Sequence, residues 1–211
     1  NNDVVFIDKF DFLRGNKSTF GISFWFREGI VSGTGSFIAH NSWGGSKQQA
    51  FAIRSYDNND DEAIELLFYQ NSTEFIYARS SVLVGDGLWH NVVVNYDYNN
   101  CSLWIDGVYD TTLSFSLRDP LAVSINSTLS LPFSIGSQLT VPGTPSGFLA
   151  MGFDELRMFN ETVSDSLVYD IYNSGRFPNS SLNNEDLVLW LPIHEGSGNI
   201  TYDLVGGHYG F

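Results

Sequence analysis

Short apolar segments recur along almost the whole chain, and clusters of turn-forming residues separate them. The segments that we predict to be strands are residues 4–7, 20–27, 35–40, 50–54, 63–69, 74–79, 90–96, 102–105, 130–135 and 147–159. Between them lie runs such as GNKS, SWGGSK, YDNNDD and VPGTPSG, which are rich in turn-forming residues. Regularly spaced short strands with such turns favour a β-sandwich or jelly roll over an α/β fold.

The segment HNVVVNYDY indicates how these strands are arranged. Because side chains alternate along a strand, the even-numbered residues from His90 to Tyr98 share one face, and the odd-numbered residues from Asn91 to Asp97 share the other. The first face is more apolar than the second. This pattern predicts one buried and one wetter face, as in a sandwich of two antiparallel sheets.

One short helix is predicted in the last third of the chain. Ser164 is a good N-cap, Asp165 suits the first helical turn, and Gly175 is a typical stop signal. Between these signals, the apolar stripe consists of Leu167, Val168, Ile171 and Tyr172. The predicted fold is therefore all-β, a two-sheet antiparallel jelly-roll sandwich with one short helix near residues 164–174.

The acidic composition limits the partners of the chain. Its 211 residues suit one all-β domain, and its formal charge is −14, from ten basic and 24 acidic residues. Such a surface repels nucleic acid and anionic membranes, so we expect no nucleic-acid binding and no direct membrane insertion. The same charge attracts cations such as calcium, or serves only for solubility.

Cysteine and asparagine usage favour an extracellular location. Cys101 is the single cysteine, which excludes an internal disulfide and a cysteine-based metal site. The N-glycosylation pattern N-x-S/T occurs at Asn16, Asn71, Asn100, Asn126, Asn160, Asn179 and Asn199. We therefore expect a secreted or cell-surface glycoprotein. Because the chain starts without Met, we expect it to be part of a larger protein.

Three segments of the chain, taken in order, carry a family resemblance: FGISFWFR (20–27), GDGLWHNVVVNYDYNNCSLWIDGVYD (85–110) and GFDELRMFNETVSDSLVYDIYNSG (152–175). Together they resemble the laminin-G-like jelly rolls of the concanavalin A-like lectin/glucanase superfamily. The resemblance implies a concanavalin A-like sandwich formed by residues 1–211 as one domain. It also implies a lectin-like recognition module, although a shared fold alone does not fix function.

The last segment, LVLWLPIHEGSGNITYDLVGGHYGF (187–211), is similar to the opening segment of that family. The family pattern is thus present once, in rotated order. Residues 187–211 either fold back beside the N-terminal strand as a circular permutation, or are donated to a neighbouring domain or subunit. Donation would make the protein a building block of an extracellular filament that binds copies of itself.

The carboxylate pattern argues against catalysis. A glycoside hydrolase needs two carboxyl groups that face the sugar at a set separation, and on a strand this requires positions that share a face. Glu62 and Glu65 have odd spacing, and Asp154 and Glu155 are adjacent, so strand alternation predicts that each pair is split between two faces. The E-x-D-x-E pattern of the related glucanases is absent. We therefore expect no enzyme activity, with a glycoside hydrolase as a distant alternative.

A structural calcium ion is the cofactor that the resemblance implies. Related jelly rolls often hold one calcium ion, and Asp154 occupies the position that such a site would use. Asp203 or Glu195 would complete the site, because their segment is expected to run beside the chain ends. The alternative is that Asp154 and Glu155 only pair with Arg157 or cap strand ends. The acidic run at 57–61 lacks calcium-loop spacing and is predicted to be a solvated loop.

Sugar binding requires an exposed aromatic ring with amides or carboxylates beside it. The tryptophans expected to belong to the framework are Trp25, Trp89, Trp104 and Trp190, the first, second and fourth of them in the core. Trp43 has no such framework position and is followed by a glycine-rich loop. With Asn41 and Gln48 it forms the predicted ligand-binding group, unless Trp43 only anchors its loop.

Together these patterns predict a non-catalytic extracellular recognition or adhesion module for glycans or glycoproteins. The alternative function is a structural subunit of a filament or surface assembly that contacts neighbouring copies through residues 187–211.

Overall fold

A computed structural model describes residues 4–7, 19–28, 35–40, 42–43, 51–57, 62–69, 75–97, 99–114, 133–140, 144–176, 182, 185–195 and 199–211. In these ranges the strands are β1 (Val5–Ile7), β2 (Phe20–Glu28), β3 (Gly35–His40), β4 (Ser42–Trp43), β5 (Phe51–Asp57), β6 (Glu62–Tyr69), β7 (Phe75–Leu83), β8 (His90–Tyr96), β9 (Asn100–Ile105), β10 (Val108–Ser114), β11 (Phe133–Ile135), β12 (Gln138–Thr140), β13 (Thr144–Ser146), β14 (Met151–Phe159), β15 (Leu187–Leu191), β16 (Thr201–Tyr202) and β17 (Tyr209–Gly210). The helix α1 is Asp165–Ser174.

The strands form two antiparallel sheets that pack face to face. The eight-stranded sheet has the order β16-β17-β1-β11-β3-β5-β6-β7, and the six-stranded sheet has the order β10-β9-β8-β2-β14-β15. A small third sheet has the order β13-β12-β4, in which β12 and β4 run parallel. The predicted all-β, two-sheet jelly-roll sandwich is confirmed.

Aromatic side chains from both sheets fill the space between them. Phe24 and Phe26 of β2 meet Phe37 of β3, and the ring centroids of Phe26 and Phe37 are 4.4 Å apart. Phe24 also stacks on Phe153 of β14 at 5.1 Å. Each fully buried phenylalanine contributes about 2–3 kcal/mol of hydrophobic free energy, so this aromatic layer is a main stabilising element of the sandwich.

Helix α1 covers the outer face of the six-stranded sheet. The predicted caps are present: Ser164 Oγ accepts a hydrogen bond from Leu167 N at 3.3 Å, and Gly175 has a φ of 70°. The buried helix residues Val168 and Ile171 pack against a second cluster that includes Val93 of β8. The helix therefore buries a face of the six-stranded sheet that the alternation of side chains predicted to be exposed to solvent.

This cover corrects the prediction that β8 has a wetter face. Every residue of β8 is buried. On the face under α1, Asn95 accepts a hydrogen bond from Val163 N at 2.8 Å and donates one to Val163 O at 2.7 Å. Asn91 donates to Phe24 O at 3.2 Å. Backbone groups thus satisfy both ends of the Asn95 amide and the Asn91 nitrogen, whereas Asn91 Oδ1 has no hydrogen-bond partner among the described residues.

The C-terminal segment pairs with strands of its own chain. Strand β15 lies beside β14 in the six-stranded sheet, and β17 lies beside β1 in the eight-stranded sheet. Phe6 and Phe211 also exchange two backbone hydrogen bonds, of 2.8 and 3.0 Å. Residues 187–211 thus contribute to both sheets. That residues 1–211 form one domain with a permuted last segment remains a prediction.

His90 links the start of β8 to two neighbouring loops. Its Nδ1 lies 2.8 Å from Asp106 Oδ2, and its Nε2 lies 3.0 Å from Asp86 Oδ1, with the Phe26 ring beside it. The hydrogen bond with Asp106 raises the pKa of His90 against the opposing effect of burial, and Asp86 adds to the rise.

Stability is expected to depend on the His90 charge. A raised folded-state pKa means that His90 stabilises the fold fully below its ordinary pKa of about 6.5, and that this contribution is lost as pH rises through the folded-state pKa. The free energy of unfolding in urea, measured from about pH 5 to about pH 9, should therefore fall more steeply in the wild type than in His90→Gln. Parallel profiles for the two proteins would contradict this assignment.

Candidate functional site

A bulge in β14 gathers two carboxylates at one place. The pairing of β14 with β2 shifts by one residue between Asp154 and Arg157, and Glu155 has a φ of 56°. Because the extra residue interrupts the alternation, the carboxylates of Asp154 and Glu155 lie on the same side of the strand. This corrects the prediction that adjacent positions split the pair between two faces.

Glu155 is held by a cation and an indole. Its side chain is buried and pairs with Arg157 Nη2, while Trp190 Nε1 donates to Glu155 Oε2 at 2.9 Å. Oε1 has no hydrogen-bond partner in the described part of the chain and lies 3.8 Å from His194 Nδ1. Burial raises the pKa of Glu155, against the lowering effect of Arg157. One carboxylate oxygen therefore remains available in a buried position.

The two carboxylate oxygens of Asp154 also differ in their hydrogen bonding. Its Oδ2 accepts hydrogen bonds from Arg176 Nε at 3.0 Å and from Arg176 Nη2 at 2.8 Å. Its Oδ1 is buried, and no described residue bonds to it. Burial raises the pKa of Asp154, although the paired guanidinium opposes this rise. Arg176 follows α1 directly, so the end of the helix fixes this ion pair.

Asp154, Glu155 and His194 together form the cation-binding candidate of the structure, which we name the rim cluster. Each offers one ligand atom, and these atoms lie within 4.8 Å of one another. Asp154 Oδ1 and Glu155 Oε1 have no hydrogen-bond partner among the described residues, so both oxygens are available as ligands for one cation. The guanidiniums of Arg157 and Arg176 already compensate both negative charges, so a cation bound here would be held weakly.

Asp203 and Glu195, the other predicted metal ligands, do not belong to the rim cluster. Asp203 shapes the C-terminal turn, because its carboxylate accepts backbone N–H groups of Trp190, Val205, Gly206 and His208 at 2.9–3.2 Å. Glu195 Oε1 accepts from Tyr202 N at 3.2 Å. Both carboxylates therefore already have hydrogen-bonding roles within this segment.

Aromatic and cationic side chains border the rim cluster. The guanidinium carbon of Arg176 lies 3.5 Å from the ring centroid of Trp89, and that of Arg27 lies 5.5 Å from it. Gly152 permits this position of the indole, because a Cβ there would lie 2.8 Å from Trp89 Cη2. Trp89 is half-buried, not part of the core as predicted.

The other tryptophans with predicted framework positions also differ in how far they are buried. Trp25 is buried as predicted, and its ring stacks on Tyr172 of α1 at 5.9 Å. Trp190 is half-buried, lies over Arg157 at 5.1 Å and packs against the second core cluster, so it borders the core and is not fully inside it as predicted. Trp104 is also half-buried and meets Tyr109 edge to face. The sequence pattern found the framework positions but not their exposure.

The predicted ligand-binding group is only partly described. The backbone of Trp43 in β4 pairs with Thr140 of β12. The side chain of Trp43, and the whole of Asn41 and Gln48, lie outside the described residues. Their role in ligand binding therefore remains a prediction.

The glycosylation positions are also partly described. Asn199 is exposed, and Asn100 and Asn160 are half-buried. Asn100 Oδ1 accepts a hydrogen bond from Ser114 Oγ at 2.9 Å. The positions outside the described residues are Asn16, Asn71, Asn126 and Asn179. Glycosylation at all seven positions remains a prediction.

No helix in the described ranges is long and apolar enough to span a membrane.

Solved structures with the same fold include three of different kinds. A candidate carbohydrate-binding protein from Bacteroides ovatus has a TM-score of 0.68 at 12% identity, over 99% of this chain and 55% of its own. The heptameric SAP-like pentraxin from Limulus polyphemus has a TM-score of 0.54 at 11% identity, over 82% of this chain and 83% of its own. Botulinum neurotoxin type C has a TM-score of 0.55 at 19% identity, over 75% of this chain and 36% of its own.

This chain thus spans about half of the Bacteroides protein and about a third of the neurotoxin chain. At these identities the likeness shows the shared fold alone. No curated protein matches the sequence. The family model that matches is described as the concanavalin A-like lectin/glucanases superfamily, and it covers residues 1–168, most of the chain. The chain therefore belongs to the Laminin_G_3 family of the concanavalin A-like lectin/glucanase superfamily.

Proposed function

We propose that this chain is a non-catalytic, extracellular recognition or adhesion module that binds glycans or glycoproteins. Family membership supports a binding module, and so does the fold shared with a candidate carbohydrate-binding protein. The same fold occurs in botulinum neurotoxin type C, whose cell entry depends on gangliosides. The observation that carries the proposal is the combination of groups around Trp89.

These groups have the chemistry that sugar recognition needs. An aromatic ring packs against the C–H face of a sugar, and charged or amide groups bond to its hydroxyls. Trp89 is half-buried, Arg27 is exposed, and the His194 side chain is 54% exposed. Aromatic, cationic and imidazole groups are therefore accessible in one region of the surface.

The buried carboxylates favour binding over hydrolysis. Asp154 is 3% exposed and Glu155 is 1% exposed, and each is paired with an arginine. A glycosidase needs one carboxyl group to protonate the leaving oxygen and a second to act on the opposite face of the sugar. A substrate on the surface would reach neither group in this arrangement, so we infer that the domain has no hydrolytic activity.

A glycan array tests this function. The wild-type domain should bind a restricted set of glycans, and Trp89→Ala should bind the same set about tenfold more weakly, because a stacking contact is lost. Tyr169→Ala is the matched control, since Tyr169 is an exposed aromatic residue on α1. Unfolding curves verify that both variants fold. An array without any bound glycan would reject the proposal.

We also propose that the rim cluster binds one divalent cation, and that calcium is its extracellular occupant. The support is the pair of orphaned oxygens on Asp154 and Glu155. Calcium prefers about six to eight oxygen ligands, and the two buried carboxylate oxygens supply only a minority of them, so weak binding is expected. The imidazole of His194 favours Zn²⁺ at the same place, and the two carboxylates also suit Mn²⁺.

Calcium at millimolar concentration is expected to raise the unfolding temperature by a few degrees, and Asp154→Asn should abolish this rise. Glu195→Gln tests the ligand set predicted from the sequence and should leave the rise intact. Calorimetric titrations with Ca²⁺, Mn²⁺ and Zn²⁺ then rank the ions. A rise that survives Asp154→Asn but disappears in Glu195→Gln would place the ion at the C-terminal turn instead.

One observation favours the structural-subunit alternative. The C-terminal segment exposes several apolar side chains next to the β16 edge of the eight-stranded sheet, namely Leu204, Tyr209 and Phe211, each at least 50% exposed. An apolar sheet edge is suited to contacts between copies. Sedimentation velocity discriminates the two functions, because a filament subunit forms open-ended species that grow with concentration, whereas a recognition module remains a monomer or a closed oligomer of fixed size.

A further inference from the structure

A ladder of charged residues crosses three neighbouring strands of the eight-stranded sheet. Arg54 of β5 pairs in register with Glu65 of β6, and Glu65 pairs in register with Arg79 of β7. Arg54 Nε donates to Glu65 Oε1, and Arg79 Nε donates to Glu65 Oε2 at 2.8 Å. Glu65 is only 1% exposed. Its carboxylate is therefore fully occupied by the two guanidiniums.

This ladder carries one excess positive charge. One guanidinium is enough to neutralise the buried carboxylate of Glu65, and a second one leaves a net charge of +1 on a protein whose formal charge is −14. Arg54 is the more buried partner, with 20% of its side chain exposed against 35% for Arg79. Arg79 is thus the guanidinium that faces solvent.

The two Nη groups of Arg79 have no hydrogen-bond partner within the described ranges. The hydrogen bond of Arg79 to Glu65 uses Nε. Two parallel N–H groups at the end of a guanidinium match the two oxygens of a carboxylate or sulfate. The group available here is therefore a preformed anion-binding fork.

Two tyrosine rings hold this fork in place. The guanidinium carbon of Arg79 lies 3.4 Å from the ring centroid of Tyr56 and 4.7 Å from that of Tyr77. Contact with two rings restricts the rotamers of Arg79, which reduces the entropy lost when an anion binds. Tyr77 is 48% exposed, so part of its ring remains accessible beside the fork.

We propose that Arg54, Tyr56, Tyr77 and Arg79 form a binding site for an acidic saccharide, one that bears a carboxylate or a sulfate. The anion accepts two hydrogen bonds from the Nη groups of Arg79, and the sugar ring packs against the exposed part of Tyr77. The site extends the proposed function, because it assumes saccharide recognition, but it lies on the other sheet from the rim cluster. Glu65 serves as a positioning residue that orients Arg79 through Nε.

Three small probes test this chemistry directly. In a ¹H–¹⁵N titration at millimolar concentration, sodium glucuronate should shift the Arg79 side-chain resonances in a saturable way. Glucose lacks the carboxylate and acetate lacks the ring, so each should bind at least about tenfold more weakly. Equal responses to acetate and glucuronate would mean an unspecific anion site and overturn the proposal. Equal responses to glucose and glucuronate, or no response, would overturn it as well.

Variants separate this site from the rim cluster. Arg79→Gln removes the fork, and Tyr77→Ser removes the ring but leaves both Glu65 ion pairs. Each should weaken glucuronate binding about tenfold or more, whereas Tyr202→Ser, which changes a similarly exposed tyrosine on β16, should leave it unchanged. Unfolding midpoints show that each variant folds.

On the glycan array, unchanged binding of acidic glycans by Arg79→Gln would reject this site but retain the proposed function. If the array shows no bound glycan, the proposed function fails, and the glucuronate titration still decides the Arg79 site.

Discussion

Replacing Arg157 by methionine is expected to destabilise the fold by about 3–5 kcal/mol, because Glu155 would then keep its buried charge without its partner. Arg157 and Glu155 are each 1% exposed, and burial lowers the pKa of Arg157 while it raises the pKa of Glu155. Trp190 Nε1 would be the only side-chain hydrogen-bond donor left on the carboxylate in the described part of the chain. Water reaches this position poorly, so solvation compensates little of the loss.

Urea unfolding of four proteins measures this coupling. They are the wild type, Arg157→Met, Glu155→Gln and the double variant. The double variant should be more stable than Arg157→Met, because glutamine still accepts from Trp190 but carries no charge. Additive losses would show that Glu155 and Arg157 do not interact. A loss below about 1 kcal/mol in Arg157→Met would mean that solvent reaches the bulge in β14.

Much of the fold follows from local sequence patterns. All ten predicted strand segments contain a strand, and the signals at Ser164 and Gly175 end the helix where it was expected. These features depend on side-chain alternation and on capping groups close in the chain, so a single sequence contains them. The short strands β4, β12, β13, β16 and β17 were missed, and so was the longer β10, because its half-exposed residues, VYDTTLS, lack a strong apolar alternation.

The exposure of each face does not follow from such local patterns. Alternation along β8 predicted a wetter face, but α1 packs on it from more than 70 residues farther along the chain. Asn91 and Asn95 resemble solvent-facing residues in the sequence, although both are buried and each donates a hydrogen bond to the backbone of a distant residue. Burial is here a property of tertiary packing, which overrides the strand pattern.

The rim cluster shows the same limit at the functional site. Asp154 was predicted from the resemblance, but the grouping of Asp154 with Glu155 depends on the positive φ of Glu155. A glutamate rarely adopts this conformation, so the amino-acid sequence does not indicate it. Arg176 and His194 reach the cluster from the end of α1 and from the residues after β15. The position of His194 depends on the pairing of β15 with β14, which the order of the chain leaves open.

Replacing Asp203 by alanine is expected to cost about 2–4 kcal/mol, since one carboxylate that accepts several backbone N–H groups would be lost. Asp203 joins β15 to the last turn: its Oδ1 accepts from Trp190 N at 2.9 Å, and its Oδ2 accepts from Gly206 N at 2.9 Å. Without the carboxylate, these N–H groups lose their acceptor, and the turn between β16 and β17 keeps the backbone bond from Leu204 N to Trp190 O but loses its side-chain connection to β15. Hydrogen exchange at the amides of Trp190 and His208 should accelerate in this variant.

Two control variants test whether Asp203 stabilises the C-terminal turn through its hydrogen bonds. Asp203→Asn retains one acceptor oxygen and should lose less stability than Asp203→Ala, while Glu195→Ala removes a single exposed hydrogen bond and should cost well under about 1 kcal/mol. If Asp203 were instead a calcium ligand, as the sequence pattern predicted, the destabilisation would be large with calcium and would shrink when the ion is chelated. If Asp203 only stabilises the turn, Asp203→Ala should lose the same free energy of unfolding with calcium and with chelator, because the carboxylate oxygens accept from backbone N–H groups and hold no metal ion.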